Sequence, residues 1–408
     1  MFSYPTLKSC SPHVKLQCIT PNEGRIIHRF FDTSPISPSG RYMALCRIPY
    51  EDHNAIAGDT AEIVLCDLQT GEERVLYHTH GWETQVGANV QWGATDETLV
   101  FNDIIPGEWK PFMVRMQPFT GKCVRMGCGV FMLSPDGKQA LTHNLNCSRL
   151  TQYGYGVTVP DAFLPHNGLY PADDGFYLTD LDTGECRMAV SLAELLDATF
   201  DKAKLAEFEN GEFYGFQCKW NRQQTRIMLI VRCLFPETGK KRQMVFTAKP
   251  DGSDIHLALP WEVWARGGHH VNWHPDGEHI TMNLRIDNEA MRFVRFTYDG
   301  KDLHKLCPNL IGSGHPSIHI DGRYLITDAY DHEPFYRQDG TVPIRLIDLQ
   351  TEKETELARI HTFCPFGCRD LRLDPHPAWD LTFTRIVFNG FEDGSRRVFV
   401  LDDWNKIL

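Results

Sequence analysis

The feature that most limits what this chain can fold into is a polar four-residue turn that comes back seven times. It reads Ser37-Pro38-Ser39-Gly40, Ser134-Pro135-Asp136-Gly137, His274-Pro275-Asp276-Gly277 and His319-Ile320-Asp321-Gly322, with weaker versions at 93–96, 221–224 and 380–383. About six residues of apolar or alternating strand follow each turn, as in Arg41-Tyr42-Met43-Ala44-Leu45-Cys46. A second turn type alternates with the first. It is clearest in Asp67-Leu68-Gln69-Thr70-Gly71-Glu72 and Asp180-Leu181-Asp182-Thr183-Gly184-Glu185, and it recurs at 118–122, 250–253, 298–301 and 348–353. Tight turns between alternating strands are hairpins, and two hairpins per repeat make one four-stranded antiparallel unit. Such a unit cannot bury both faces alone, so repeated units pack side by side.

The expected fold is therefore all-β: a seven-bladed β-propeller with four antiparallel strands per blade. A length of 408 residues would suit two or three average domains, but repeat folds run long as one unit, and no linker or composition shift divides the chain. We expect one domain over 1–408, with a strand near 14–19 completing the last blade. Two insertions interrupt the pattern. Residues 145–174 read as a long loop rich in Gly, Tyr and Pro. Residues 191–210 have helical spacing, with Ser191 as cap and Glu194 three residues on, and form the one short helix expected.

Charge narrows the partners. The net charge of −12 argues against nucleic acid or an anionic membrane, both of which demand a basic face. An acidic chain can still bind an acidic ligand where Arg, Lys or a metal ion gathers in one cleft. No run of 18 apolar residues exists, and residues 1–8 lack the basic-then-apolar pattern of a signal peptide. The 13 cysteines are scattered through strand-like settings such as Leu45-Cys46 and Leu65-Cys66, without a CxxC pair of metal spacing. They read as reduced core thiols of a cytoplasmic protein.

Overlaying the seven repeats turns the turn count into a coordinate system. The first residue of each innermost strand is Thr33, Asn89, Val130, Gln217, His270, His315 and His376. Three histidines and a glutamine thus occupy equivalent positions in four consecutive blades. Neutral imidazole ligates transition metals, while an amide or carboxylate oxygen suits Mn or Ca. Gln217, His270, His315 and His376 are the expected metal ligands, with Asp374, two residues before His376, as a further carboxylate. The bland alternative is a polar channel lining that binds only water. The returning second strands carry Cys46, Asn102, His143, Ile230, Asn283, Asp328 and Asn389, expected around the same mouth. The insertion after His143 carries Arg149, Tyr153 and Tyr155. Arg47, Lys219, Arg232, Arg285, Arg369 and Arg372 add positive charge near strand ends. The segment Arg25-Ile26-Ile27-His28-Arg29-Phe30-Phe31-Asp32-Thr33 leads into the first innermost strand and could bring His28 or Arg29 to the axis.

Three segments resemble the oligogalacturonate lyases, cytoplasmic seven-bladed propellers with a metal in the central cleft. They are Gly268-His269-His270-Val271-Asn272-Trp273-His274-Pro275-Asp276-Gly277, Gly314-His315-Pro316-Ser317-Ile318 and Asp374-Pro375-His376-Pro377-Ala378-Trp379. The family's last-blade motif is similar to Gln-x-x-His-x-His-Pro. Here His376 matches the second His, Asp374 stands at the first, and Leu371 replaces the Gln. The resemblance implies β-elimination from a uronic-acid-containing oligosaccharide, assisted by a divalent cation, Mn first and Ca or Zn next. On that reading His143 is the base, Tyr153 protonates the leaving oxygen and Arg149 binds the uronate. His28, Arg29, Asn89, Asp328 and Arg369 are the expected substrate contacts. A glycoside hydrolase on the same fold would instead need paired carboxylates. A non-catalytic propeller scaffold would put small or apolar residues in the axial positions.

Overall fold

The strong turns close as their residues dictate. In the computed structural model, which describes residues 2–6, 14–287, 289–362 and 369–407, Gly40, Gly137, Gly277 and Gly322 have φ of 76°, 69°, 77° and 74°. Each donates its N–H to the carbonyl three residues back, at 2.8 to 3.0 Å. Two of the weaker turns reach the same left-handed conformation without glycine, at Gln224 (φ 59°) and Phe383 (φ 58°). Their first residues offset that strain. Asn221 Oδ1 accepts from the N–H groups of Thr225 and Arg226, and Asp380 Oδ1 from those of Thr384 and Arg385.

These turns organise seven antiparallel sheets of four strands, the blades of a β-propeller. Six blades run in simple chain order. The seventh combines Ala378–Trp379, Ile386–Glu392 and Ser395–Asp402 with the N-terminal strand Lys15–Cys18, where Leu16 faces Leu401 and Cys18 faces Phe399. In five of the seven blades the first strand is only two residues long. Most first-strand residues therefore lie in irregular backbone that is free to aim side chains.

The chain groups into two compact units. One is built from residues 1–106, 114–124 and 313–408, the other from 107–113 and 125–312. In the first unit, the seventh blade shows why its strands are apolar throughout. Alternate residues point to opposite faces, and both faces are covered. Ile386, Phe388, Phe399 and Leu401 pack with Tyr324, Ile344, Leu346 and Ile360 of the sixth blade. Val387, Val398 and Val400 pack with Ile26, Met43, Leu45 and Val64 of the first. The second unit holds the blades that start at Met132–Leu133, Glu212–Trp220 and Gly268–Trp273. The strands of the blade starting at Gln91–Trp92 contribute to both units.

The structure corrects several expectations. The insertion at 145–174 opens with an α-helix, α1 (Leu145–Thr151), and carries a 3-10 turn at Asp161–Phe163, so it is not all loop. Residues 191–210 hold two helices, α2 (Leu192–Thr199) and α3 (Lys202–Ala206), and a fourth, α4 (Trp261–Trp264), stands in the fourth blade's exit. Ser191 and Glu194 do form a reciprocal capping box. In the first blade the first strand is Ile26–Ile27, and pairing resumes only at Ile36 opposite Met43. Residues 28–35 leave the sheet, which the register anchored on the following turn could not reveal.

Nor are all the cysteines reduced. Cys128 and Cys186 form a disulfide with Cα atoms 5.9 Å apart. Gly127 makes the approach possible, since a Cβ there would collide with Cys186 Cβ at 2.5 Å. The other described cysteines are free and, Cys123 apart, buried. No helix among the described residues is long and apolar enough to cross a membrane. Peptide mapping without reductant should recover Cys128 and Cys186 in one linked peptide pair. Alkylation of both in the native, unreduced protein would refute the pairing.

Candidate metal centre

The first unit gathers three of the five expected ligands. His315 follows Gly314 just before the strand Ser317–Ile318. Gly314 has φ 65°, and a Cβ there would lie 2.2 Å from both the carbonyl and a carboxylate oxygen of Asp328, so only glycine lets the two residues meet. Asp328 directly follows the strand Tyr324–Thr327. Its carboxylate accepts the His315 backbone N–H at 2.7 Å and stands 2.9 Å from His315 Nδ1 through either oxygen. It also accepts the His376 N–H at 3.3 Å. A carboxylate against Nδ1 fixes the proton there and leaves the lone pair on Nε2, the arrangement that orients ligating histidines.

His376 sits between two prolines just before the strand Ala378–Trp379. Its φ of 50° is left-handed, a strained conformation for histidine that is typical of functional sites. Its ring meets that of His315 edge-on, with centroids 4.3 Å apart and planes at 88°. Asp374 is turned by Arg372, whose Nε donates to Oδ2 at 3.1 Å. Its Oδ2 lies 3.9 Å from His376 Nε2, beyond a hydrogen bond. Ligand atoms of His315, Asp374 and His376 all lie within 4.8 Å of one another, and all three residues are buried.

Burial sets the electrostatics. The pKa of His376 is held well below the usual imidazole value, by desolvation first and then by the neighbouring His315 and His28. Neither of its ring nitrogens has a hydrogen-bond partner among the described groups. A buried, neutral, unsatisfied imidazole is costly unless something else occupies it. Two imidazoles and a carboxylate converging on one point form a donor set for a divalent first-row transition metal.

Around this trio stands residue 28–33 of the first blade. His28 is fully buried, and its N–H donates to Asn389 Oδ1 at 2.9 Å. Arg29 is buried in an ion pair with Asp32 and donates to Asn89 Oδ1 at 3.1 Å. Asn89 is itself buried with φ 54°. Phe30 packs on the His376 ring at 4.7 Å and Phe31 on His315 at 5.4 Å. Asp328, expected as a substrate contact, is buried and committed to the two histidines. Arg369 begins a 3-10 turn, and its side chain lies outside the described residues.

The second unit holds the remaining expected residues. Gln217 is buried at a β-bulge opposite Ile230. His270 is half-buried with φ 59°, again left-handed. Its Nδ1 is 2.9 Å from His269 Nδ1, which also faces Asn283 Nδ2 at 3.2 Å. His143 is buried, with Nε2 2.5 Å from Ser148 Oγ and Nδ1 3.9 Å from Cys218 Sγ. Burial, and then the charge of Arg232, lower its pKa to about 3. Arg149 donates to the Val159 carbonyl at 2.9 Å, and Tyr153 is 66% exposed. Arg232 lies 3.4 Å above the Phe216 ring, and both it and Lys241 donate to the Thr151 carbonyl that ends α1. Lys241, which the sequence did not single out, has its pKa lowered to about 8 by burial and by Arg232.

No family model matches the sequence, and no curated protein matches it. Solved structures do match the fold. An oligogalacturonate lyase in complex with manganese aligns over 98% of this chain and 96% of its own, with TM-score 0.63 at 13% identity. The oligogalacturonate lyase from Vibrio parahaemolyticus aligns over the same shares, with TM-score 0.66 at 11% identity. The β-propeller domain of the Trilobed protease from Pyrococcus furiosus aligns over 92% of this chain and 95% of its own, with TM-score 0.51 at 11% identity. At such identities the likeness establishes the propeller fold alone, and the fold serves more than one chemistry.

The buried His143 makes stability acid-sensitive. Between pH 6.5 and about 3 the unfolded chain binds a proton here that the folded chain refuses, so stability falls as pH falls through that window. Any cost of His143→Gln measured by guanidinium unfolding at pH 7 should therefore shrink by about pH 4.5, by on the order of 2 kcal/mol. A cost that does not change with pH would show that His143 titrates normally in the fold.

Proposed function

We propose that this chain is a metal-assisted lyase that cleaves uronic-acid-containing oligosaccharides by β-elimination. The observation that carries the proposal is the buried His315, Asp374 and His376 cluster, in a propeller that aligns along nearly its whole length with lyases of acidic oligosaccharides. A divalent cation held there, Mn by analogy with the manganese-bound lyase, would stabilise the charge that develops on the uronate as C5 loses its proton.

The chain's own groups fit the supporting roles. Asp328 holds His315 by its Nδ1 proton and His376 by its backbone N–H, presetting both rings. Arg372 fixes the Asp374 carboxylate and places a guanidinium beside the centre. A hydrolase is disfavoured, since Asp328 and Asp374 are both buried and committed to neighbours.

Incubation with oligogalacturonate and other uronate oligomers should raise ultraviolet absorbance from an unsaturated product. A chelator should abolish the signal, and added Mn²⁺ should restore it. Reducing sugar without the chromophore would replace the lyase by a hydrolase, and no turnover of any acidic glycan would overturn the proposal. Asp328→Asn should lower Mn²⁺ affinity about 10- to 100-fold by releasing His315. Unaltered affinity would remove Asp328 from the centre.

A further inference from the structure

We infer that His28, carried by the first blade, is the fourth ligand of the metal centre and closes onto the ion when it binds. The inference rests on the metal reading above, though not on the lyase chemistry. His28 is fully buried, and neither ring nitrogen makes a hydrogen bond of normal geometry. The backbone at Pro375 and His376 lies against the ring and gives it only weak support. The ring is thus a buried donor without a full partner, beside a second such donor. Its centroid lies 6.5 Å from that of His376, with the planes perpendicular at 87°.

The backbone of His28 is tied to the ligand segment by one side chain. Asn389 accepts the His28 N–H at 2.9 Å through Oδ1, and its Nδ2 faces the carbonyls of His28 at 3.5 Å and Asp374 at 3.4 Å. The Asn389 N–H donates to the Pro375 carbonyl at 2.7 Å. One residue therefore sets the spacing between His28 and the Asp374–His376 pair. The seventh blade supplies no further donor nearby from Leu371, which is apolar and buried. The nitrogens of His28 stand outside the set that falls within 4.8 Å. Its ring therefore has to turn inward about its own side-chain torsions to bond the ion, while its backbone stays held by Asn389. Three imidazoles and one carboxylate would give a four-donor set that still leaves positions open on a six-coordinate ion such as Mn²⁺.

Titration with Co²⁺ tests this, since its d–d absorption reports ligand type and number. Wild type should bind one Co²⁺. His28→Phe, which keeps a planar ring without a donor, should bind at least about tenfold more weakly with shifted d–d bands. His28→Gln, which retains an oxygen donor, should fall between and serves if the Phe variant does not fold. Hydrogen exchange in residues 26–33 should slow on metal binding in wild type and not in His28→Phe. Equal affinity and an equal spectrum in a folded variant would remove His28 while leaving the metal centre intact. A folded wild type that takes up neither Co²⁺ nor Mn²⁺ would overturn both. A His28-dependent metal site without any lyase product would overturn only the proposed reaction.

Discussion

Pairing of the strand Lys15–Cys18 with Ser395–Asp402 is the constraint on which the first unit depends. Without this pairing the strand Ser395–Asp402 would present its own row of unpaired N–H and C=O groups. The strand that covers it comes from the opposite end of the chain. It also brings Val14, Leu16 and Cys18 into the apolar cluster shared by the sixth and seventh blades. The covalently distant ends are thereby made neighbours, and the irregular first-strand segments of the first, sixth and seventh blades come together beside one another. Asn389 then ties His28 directly to the segment that carries Asp374 and His376.

Within that frame the site is organised by one carboxylate. Asp328 receives three N–H groups from two segments, the backbone and ring of His315 and the backbone of His376. The cost of burying it is offset because every donor is directed at it. The same contact explains two local oddities. Gly314 is needed because any side chain would strike Asp328, and His376 can hold a left-handed backbone because its N–H is captured there.

Much of this was legible in the sequence. Seven turns with glycine or Asx residues at set places specify seven repeats, because each turn has a conformation that few residues adopt. Overlaying them brought His315 and His376 into one register, with Asp374 two residues before His376. The role of Asp328 was not legible, since it depends on a contact between the first and second strands that periodicity alone does not rank. The departure of residues 28–35 from the sheet was hidden because Ile26-Ile27 and Phe30-Phe31 together read as one continuous strand. The Cys128–Cys186 pair was hidden as well, because the two lie 58 residues apart in different blades. The surroundings of His143 were not legible either, since its burial and its bond to Ser148 of α1 come from the insertion that follows it.

The packing of Phe30 and Phe31 against the imidazoles carries one more consequence. With two aromatic rings walling the trio, an arriving cation must shed much of its hydration shell before it meets nitrogen. Selection then acts through the work of dehydration as well as through fit. On the proposed metal reading, magnesium, which releases water reluctantly and prefers oxygen, would be disfavoured, and ions that exchange water readily for imidazole would be favoured.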